Sequence, residues 1–99
     1  MVINITDKEV IEELQSIADS AMEPLVKNIE KMSSMVLSVN YLYTFLPMAI
    51  VDYVLSQDIP NDTTTIEVKV PHFNISIHMA NVPDTDKDKR GWIFSVTAQ

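Results

Sequence analysis

The sequence predicts an α+β domain in which two or three N-terminal helices pack on a small antiparallel β-sheet of two or three strands. Apolar residues recur at helical spacing through the first half of the chain, and from about residue 64 onward they alternate with polar residues. The length of 99 residues is typical of one domain. We therefore expect a single domain, 1–99, with a helical part at about 7–57 and a β part at about 64–97.

The first helix is predicted to begin at a capping box formed by Thr6 and Glu9. An apolar stripe follows along one side of this helix. Its central positions are Val10, Leu14, Ile17, Ala21, Leu25 and Met32, with Ile11, Ala18, Met22 and Ile29 beside them. Pro24 predicts a kink or a new helix start, for which Ser20 and Glu23 supply a second capping box. Helical structure is expected to continue to about residue 40.

The stretch 32–51 has no formally charged residue, although the chain carries a net charge of −7. About 20 apolar residues can span a bilayer core, so a single-pass membrane segment is one interpretation. Hydroxyl and amide side chains interrupt the run, and Tyr41 and Tyr43 lie in its middle rather than at its ends. These features favour a buried segment of a soluble domain without membrane contact. Pro47 suits the first turn of a short helix that ends near Gln57.

Two alternating segments in the second half predict β-structure, and they are out of phase with each other. Apolar residues occupy even positions in 64–70 but odd positions in 73–79. We expect one long strand with a bulge at Pro71; the alternative is a wider turn that separates two strands. A last strand carries Trp92, Phe94 and Val96 on one face, and residues 2–5 form a candidate edge strand.

The negative charge is concentrated in the first half of the chain. Residues 1–58 contain nine acidic residues and three lysines, whereas residues 59–99 contain five acidic and four basic residues. This balance disfavours direct binding to nucleic acid or to anionic membranes, and it favours a protein partner with a basic surface. The candidate partner-binding residues are Glu9, Glu12, Glu13 and Asp19 on the first helix, and Asp84, Asp86 and Asp88 on a charged loop. A purely solubilising role is the alternative for each of them.

The sequence contains no pattern typical of a catalytic, metal or cofactor site. One glycine excludes the phosphate-binding loops, and the absence of cysteine excludes thiolate chemistry. His72 and His78 have no companion at metal-ligand spacing. The segment 84–88 resembles the start of a calcium loop, but Lys89 and Ser95 replace the required glycine and glutamate. We expect no enzymatic activity, no metal and no cofactor.

By elimination, the sequence predicts a protein-interaction module. We expect an inhibitor or immunity-type protein, of the kind carried by phages and mobile elements, that binds and blocks a basic nucleic-acid-processing protein. Its expected location is the cytoplasm, that of the host if the protein is viral. The alternative is a structural or assembly subunit, such as a virion component or a chaperone-like homo-oligomer, that associates through residues 41–55 or an edge strand. A third interpretation is a single-pass membrane protein through 32–51.

Overall fold

The computed structural model describes residues 1–28, 34–83 and 90–99, and it confirms the α+β class. In chain order the elements are β1 (Val2–Asn4), α1 (Lys8–Asn28), α2 (Ser34–Asn40), a π-helical turn (Tyr41–Phe45), α3 (Leu46–Leu55), β2 (Thr65–Val70), a 3-10 turn (Pro71–Phe73), β3 (Ile75–Pro83) and β4 (Arg90–Ala98). The chain divides into two compact units, one of residues 7–57 and one of residues 1–6 with 58–99. Helices make up the first unit and the sheet makes up the second.

The strands in the described part of the chain form one four-stranded mixed sheet in the order β1-β2-β3-β4. Antiparallel pairs join β2 to β3 and β3 to β4, whereas β1 runs parallel to β2, with Val2 opposite Glu67. The predicted sheet of two or three antiparallel strands is therefore wrong in number and orientation, and the edge strand near residues 2–5 is confirmed. Parallel neighbours need a long crossover connection, and the helical residues between β1 and β2 form one.

A four-residue connection joins β2 to β3, so the predicted single strand with a bulge at Pro71 is wrong and the alternative of a wider turn is confirmed. Val70 pairs with Ile75, and the Asn74 N–H donates to the carbonyl of Pro71 at 3.1 Å. Asn74 has a φ of 54°, a left-handed conformation that asparagine tolerates well. The register pairs even positions of β2 with odd positions of β3, which explains the change of phase.

Burial differs between the central and the last strands of the sheet. The apolar residues on one face of β2 and β3 are all buried, namely Ile66, Val68, Val70, Ile75, Ile77 and Met79. In β4, by contrast, Trp92 and Val96 are half-buried, Phe94 is 38% exposed and Ile93 is 61% exposed. The last strand therefore leaves apolar surface accessible on both of its faces.

Asp7 caps the N-terminus of α1. Its Oδ1 accepts a hydrogen bond from the Glu9 N–H at 2.9 Å, and its carbonyl accepts one from the Ile11 N–H at 3.0 Å. The predicted capping box of Thr6 and Glu9 is therefore wrong, because the aspartate one residue later fills the cap. The predicted new helix start is also wrong, because α1 continues through Pro24. Pro24 is exposed, so solvent can bond the carbonyl that lacks its helical donor.

The buried side of α1 is shifted around the helix from the predicted centre of the stripe. Its buried residues are Ile11, Leu14, Ala18 and Met22. Ala21 is exposed and Ile17 is 50% exposed, although both were predicted to be central. Within the helical unit, α1 contacts α3 and the π-helical turn. The apolar flank that carries Ile17 is thus left at the surface.

From residue 34 onward, the uncharged run lies in α2, the π-helical turn and α3, which follow one another without a break. The π-helical turn, which was not predicted, has the Leu46 N–H bonded to the carbonyl of Tyr41, five residues earlier. Pro47 lies in the first turn of α3, as predicted, and α3 is mostly buried. Among residues 1–28, 34–83 and 90–99, no helix is both long enough and apolar enough to cross a bilayer.

The position of the buried stripe predicts different stability effects for two neighbouring residues of α1. Leu14→Ala should lower the free energy of unfolding by about 2–5 kcal/mol, because it removes a buried side chain. Ile17→Ala should change the free energy of unfolding by less than about 1 kcal/mol, because Ile17 is half exposed. Denaturant titration of both variants measures the difference. A larger loss of unfolding free energy for Ile17→Ala than for Leu14→Ala would contradict the burial of Leu14 and the exposure of Ile17.

Candidate functional site

Four of the predicted partner-binding carboxylates lie together on one side of α1. Glu9, Glu12, Glu13 and Asp19 are all exposed, and helical periodicity places them away from the buried stripe. Glu9 and Glu13 are one turn apart, and Asp19 lies two turns, about 10 Å, beyond Glu12. We call these four residues the acidic face. The other predicted residues, Asp84, Asp86 and Asp88, and the calcium-like segment lie outside the described residues.

The electrostatics of the acidic face change along the helix. Glu9 lies in the first turn of α1, where the helix dipole stabilises a carboxylate. Glu12 and Glu13 each lie about one turn from Glu9, and carboxylates at this spacing repel each other slightly, whereas Asp19 lies further along the helix. A positively charged surface placed against them would relieve this repulsion. The acidic face is therefore suited to a cationic partner.

A groove lies between α1 and α3, beside the acidic face. It has a volume of about 300 Å³, and it is lined by Glu13, Leu14, Ile17, Ala49, Asp52, Tyr53 and Ser56. Leu14 and Ala49 are buried, Tyr53 is half-buried, and Glu13 and Asp52 are exposed. We call this the α1–α3 groove. It combines an apolar floor with one carboxylate from each helix.

The α1–α3 groove lies at the C-terminal end of α3, which is the negative end of the helix dipole. The Ser56 hydroxyl donates to the carbonyl of Tyr53 at 2.6 Å and closes this end. Sequence reasoning missed Asp52 and Tyr53, because nothing local shows that α3 packs against α1. One sequence feature could have identified Asp52 as a candidate site residue: it is the only charged residue between 32 and 57.

A second groove is formed by α1, α2 and the start of the π-helical turn. It has a volume of about 440 Å³ and is lined by Asp19, Met22, Leu37, Ser38, Tyr41 and Leu42. Burial raises the pKa of the Tyr41 phenol above its ordinary value of 10.0. The nearby Asp19 carboxylate raises this pKa further, and a hydrogen bond with Gln15 partly offsets the rise. Tyr41 is therefore neutral at physiological pH, and it is suited to hydrogen bonding rather than to acting as a base.

The sheet has a broad depression of about 480 Å³ whose lining includes Glu67, His78, Ile93 and Ser95. His78 Nε2 lies 3.2 Å from Thr97 Oγ1, and His78 is exposed. Within the described ranges, no three or more His, Asp or Glu residues group closely enough to hold a metal ion. The depression thus offers mixed polar and apolar surface.

Comparisons of the chain with protein-family models, with curated proteins and with solved structures identify no match. The function is therefore inferred from the geometry of the surface. Together, the acidic face and the α1–α3 groove combine adjacent carboxylates with accessible apolar side chains. They share Glu13, so one partner can contact both.

The environment of Tyr41 predicts a pH effect on folding. Because its pKa is raised in the folded state, unfolding is linked to loss of the phenolic proton. The contribution of Tyr41 to stability should be present below its ordinary pKa of 10.0 and should decline as the pH rises above it. Asp19→Asn should lower the folded-state pKa, as measured by NMR titration of ring-labelled tyrosine. An unchanged Tyr41 titration in Asp19→Asn would contradict this contact.

Proposed function

We propose that this chain is a small protein-interaction module that binds a basic nucleic-acid-processing protein and blocks it. The acidic face is the observation that supports the proposal: four carboxylates are exposed along about three turns of one helix. Proteins that process nucleic acids use clustered Lys and Arg side chains to contact phosphates. A module that covers such a cluster competes directly with the nucleic acid.

The acidic face is suited to accelerating the encounter with such a partner. Opposite charges steer association at long range, and salt screens this attraction within about 10 Å. The affinity of most protein interfaces comes instead from a few desolvated anchor contacts. DNA carries one charge about every 1.7 Å, far denser than the charges on α1, so steric cover rather than mimicry of the phosphates would produce the block.

Reversal of three charges on the acidic face tests this proposal. The combined Glu12→Lys, Glu13→Lys and Asp19→Lys variant should associate at least about tenfold more slowly with a basic partner at low salt. Its association rate should also depend less steeply on salt. Stopped-flow kinetics with purified basic nucleic-acid-processing proteins that bind the wild-type chain would measure both effects.

A matched variant controls for net charge. The combined Asp58→Lys, Asp62→Lys and Glu67→Lys variant changes the total charge equally, but it alters the sheet-containing unit. It should keep most of the wild-type association rate. Equal slowing in both variants would show that net charge alone governs binding. An unchanged rate for the α1 variant at low salt would refute recognition by the acidic face.

The second candidate function is an assembly subunit, and the exposed side of β4 favours it. β4 is last in the strand order, and the described residues place no strand beyond it. The Gln99 N–H donates to the carbonyl of Asn74 at 2.7 Å, so odd positions of β4 bond to β3. The N–H and carbonyl groups of Trp92, Phe94 and Val96 therefore point away from β3. A strand that has such an open edge and no charged residue after Arg90 can pair with a second copy.

We expect the wild-type chain to self-associate at high micromolar concentration through β4. Ile93→Lys should abolish this association, because it places a charge beside the open edge. Val39→Lys is the matched control, since Val39 is 51% exposed but lies in α2. Sedimentation equilibrium measures the masses. A wild-type chain that sediments only as a monomer would remove the assembly alternative.

A further inference from the structure

We propose that the α1–α3 groove is an anchor site that binds one arginine side chain of a basic protein partner. This inference rests on the proposed function, and it names the part of the partner that enters the module. The groove volume of about 300 Å³ lies at the lower end of the range for small-molecule pockets. A groove of this size suits a single long side chain.

The charge of the groove favours a cation. Glu13 and Asp52 supply one exposed carboxylate from each helix, and α3 ends nearby at Leu55 with its negative dipole end. The last turn of α3 contains no basic side chain. Neither Glu13 nor Asp52 forms an ion pair with any residue that the structure describes. The groove thus lacks an internal countercharge in the described structure.

The apolar lining selects the kind of cation. Leu14 and Ala49 form a buried floor, and Ile17 presents half of its surface beside them. A hydrated metal ion would gain nothing from these side chains, and it would need more oxygen ligands than two carboxylates. The aliphatic stem of an arginine, however, can cover Ile17 while its charged end remains beside the carboxylates.

Arginine fits the polar lining better than lysine. A guanidinium has several N–H donors in a fixed plane, so it can bond two carboxylates at once. The same plane can stack on the half-buried ring of Tyr53. A lysine ammonium is a compact, strongly hydrated charge that gains less from the ring. Binding should therefore be stronger for arginine than for lysine at equal peptide charge.

An NMR titration of the ¹⁵N-labelled full chain tests this site. The probes are short blocked peptides of alternating arginine and glycine, and the matched peptides with lysine. The arginine peptide should give saturable amide shifts at Ile17, Ala49 and Tyr53. Asp52→Asn should weaken its affinity about three- to fivefold, because an exposed charge contact is lost. Asp58→Asn removes the same charge outside the groove and should have a smaller effect.

The outcomes separate this site from the proposed function. Shifts at Glu9, Glu12 and Asp19 without shifts in the groove would overturn the anchor site and leave the acidic face as the binding surface. The absence of shifts on either surface would contradict both. Equal affinity for the lysine peptide would overturn the arginine assignment. Groove shifts that depend on protein concentration without peptide would identify a second copy as the occupant and overturn the proposal.

Discussion

The packing of α1 against α3 is the contact on which the surface of the helical unit depends. α1 buries Ile11, Leu14, Ala18 and Met22 on one side. Because a helix has a fixed period, this choice turns the acidic face toward solvent. It also leaves Ile17 and Glu13 at the margin, where α3 supplies Asp52 and Tyr53. The core of this unit and its candidate binding surface are therefore set by the same contact.

In the proposed recognition of a partner, the acidic face acts at long range and the α1–α3 groove acts at contact. Exposed carboxylates act over about a Debye length and affect mainly the rate of encounter. The groove acts at contact, where an apolar floor and a partly buried ring can hold a desolvated side chain. Glu13 belongs to both surfaces, so a basic segment attracted to α1 already lies beside the groove.

The sequence was sufficient to predict features that depend on local spacing. The α+β class, an edge strand near the N-terminus, and Pro47 in the first turn of a helix follow from periodicity and from proline chemistry. The exposure of Glu9, Glu12, Glu13 and Asp19 was equally predictable, because they lie away from the apolar side. Their role in binding stays a prediction.

Features that depend on distant contacts could not be predicted. Several adjacent apolar rows occur on α1, so periodicity alone could not show that Ile17 is exposed while Ala18 is buried. The parallel pairing of β1 joins residues more than sixty positions apart. The α1–α3 groove likewise joins Glu13 to Asp52, which no local pattern connects.

Zero-length cross-linking is the most direct test of the claim that a basic partner binds to the acidic face and the adjacent groove. Carbodiimide joins a carboxylate to a lysine only where the two are in contact, and mass spectrometry identifies the linked residues. After capture of a basic partner, we predict cross-links from Glu9, Glu12 and Asp19, whereas Asp52 should not cross-link, because carbodiimide does not couple a carboxylate to the arginine that we place beside Glu13 and Asp52. Cross-links confined to Asp58, Asp62 and Glu67 would contradict the claim.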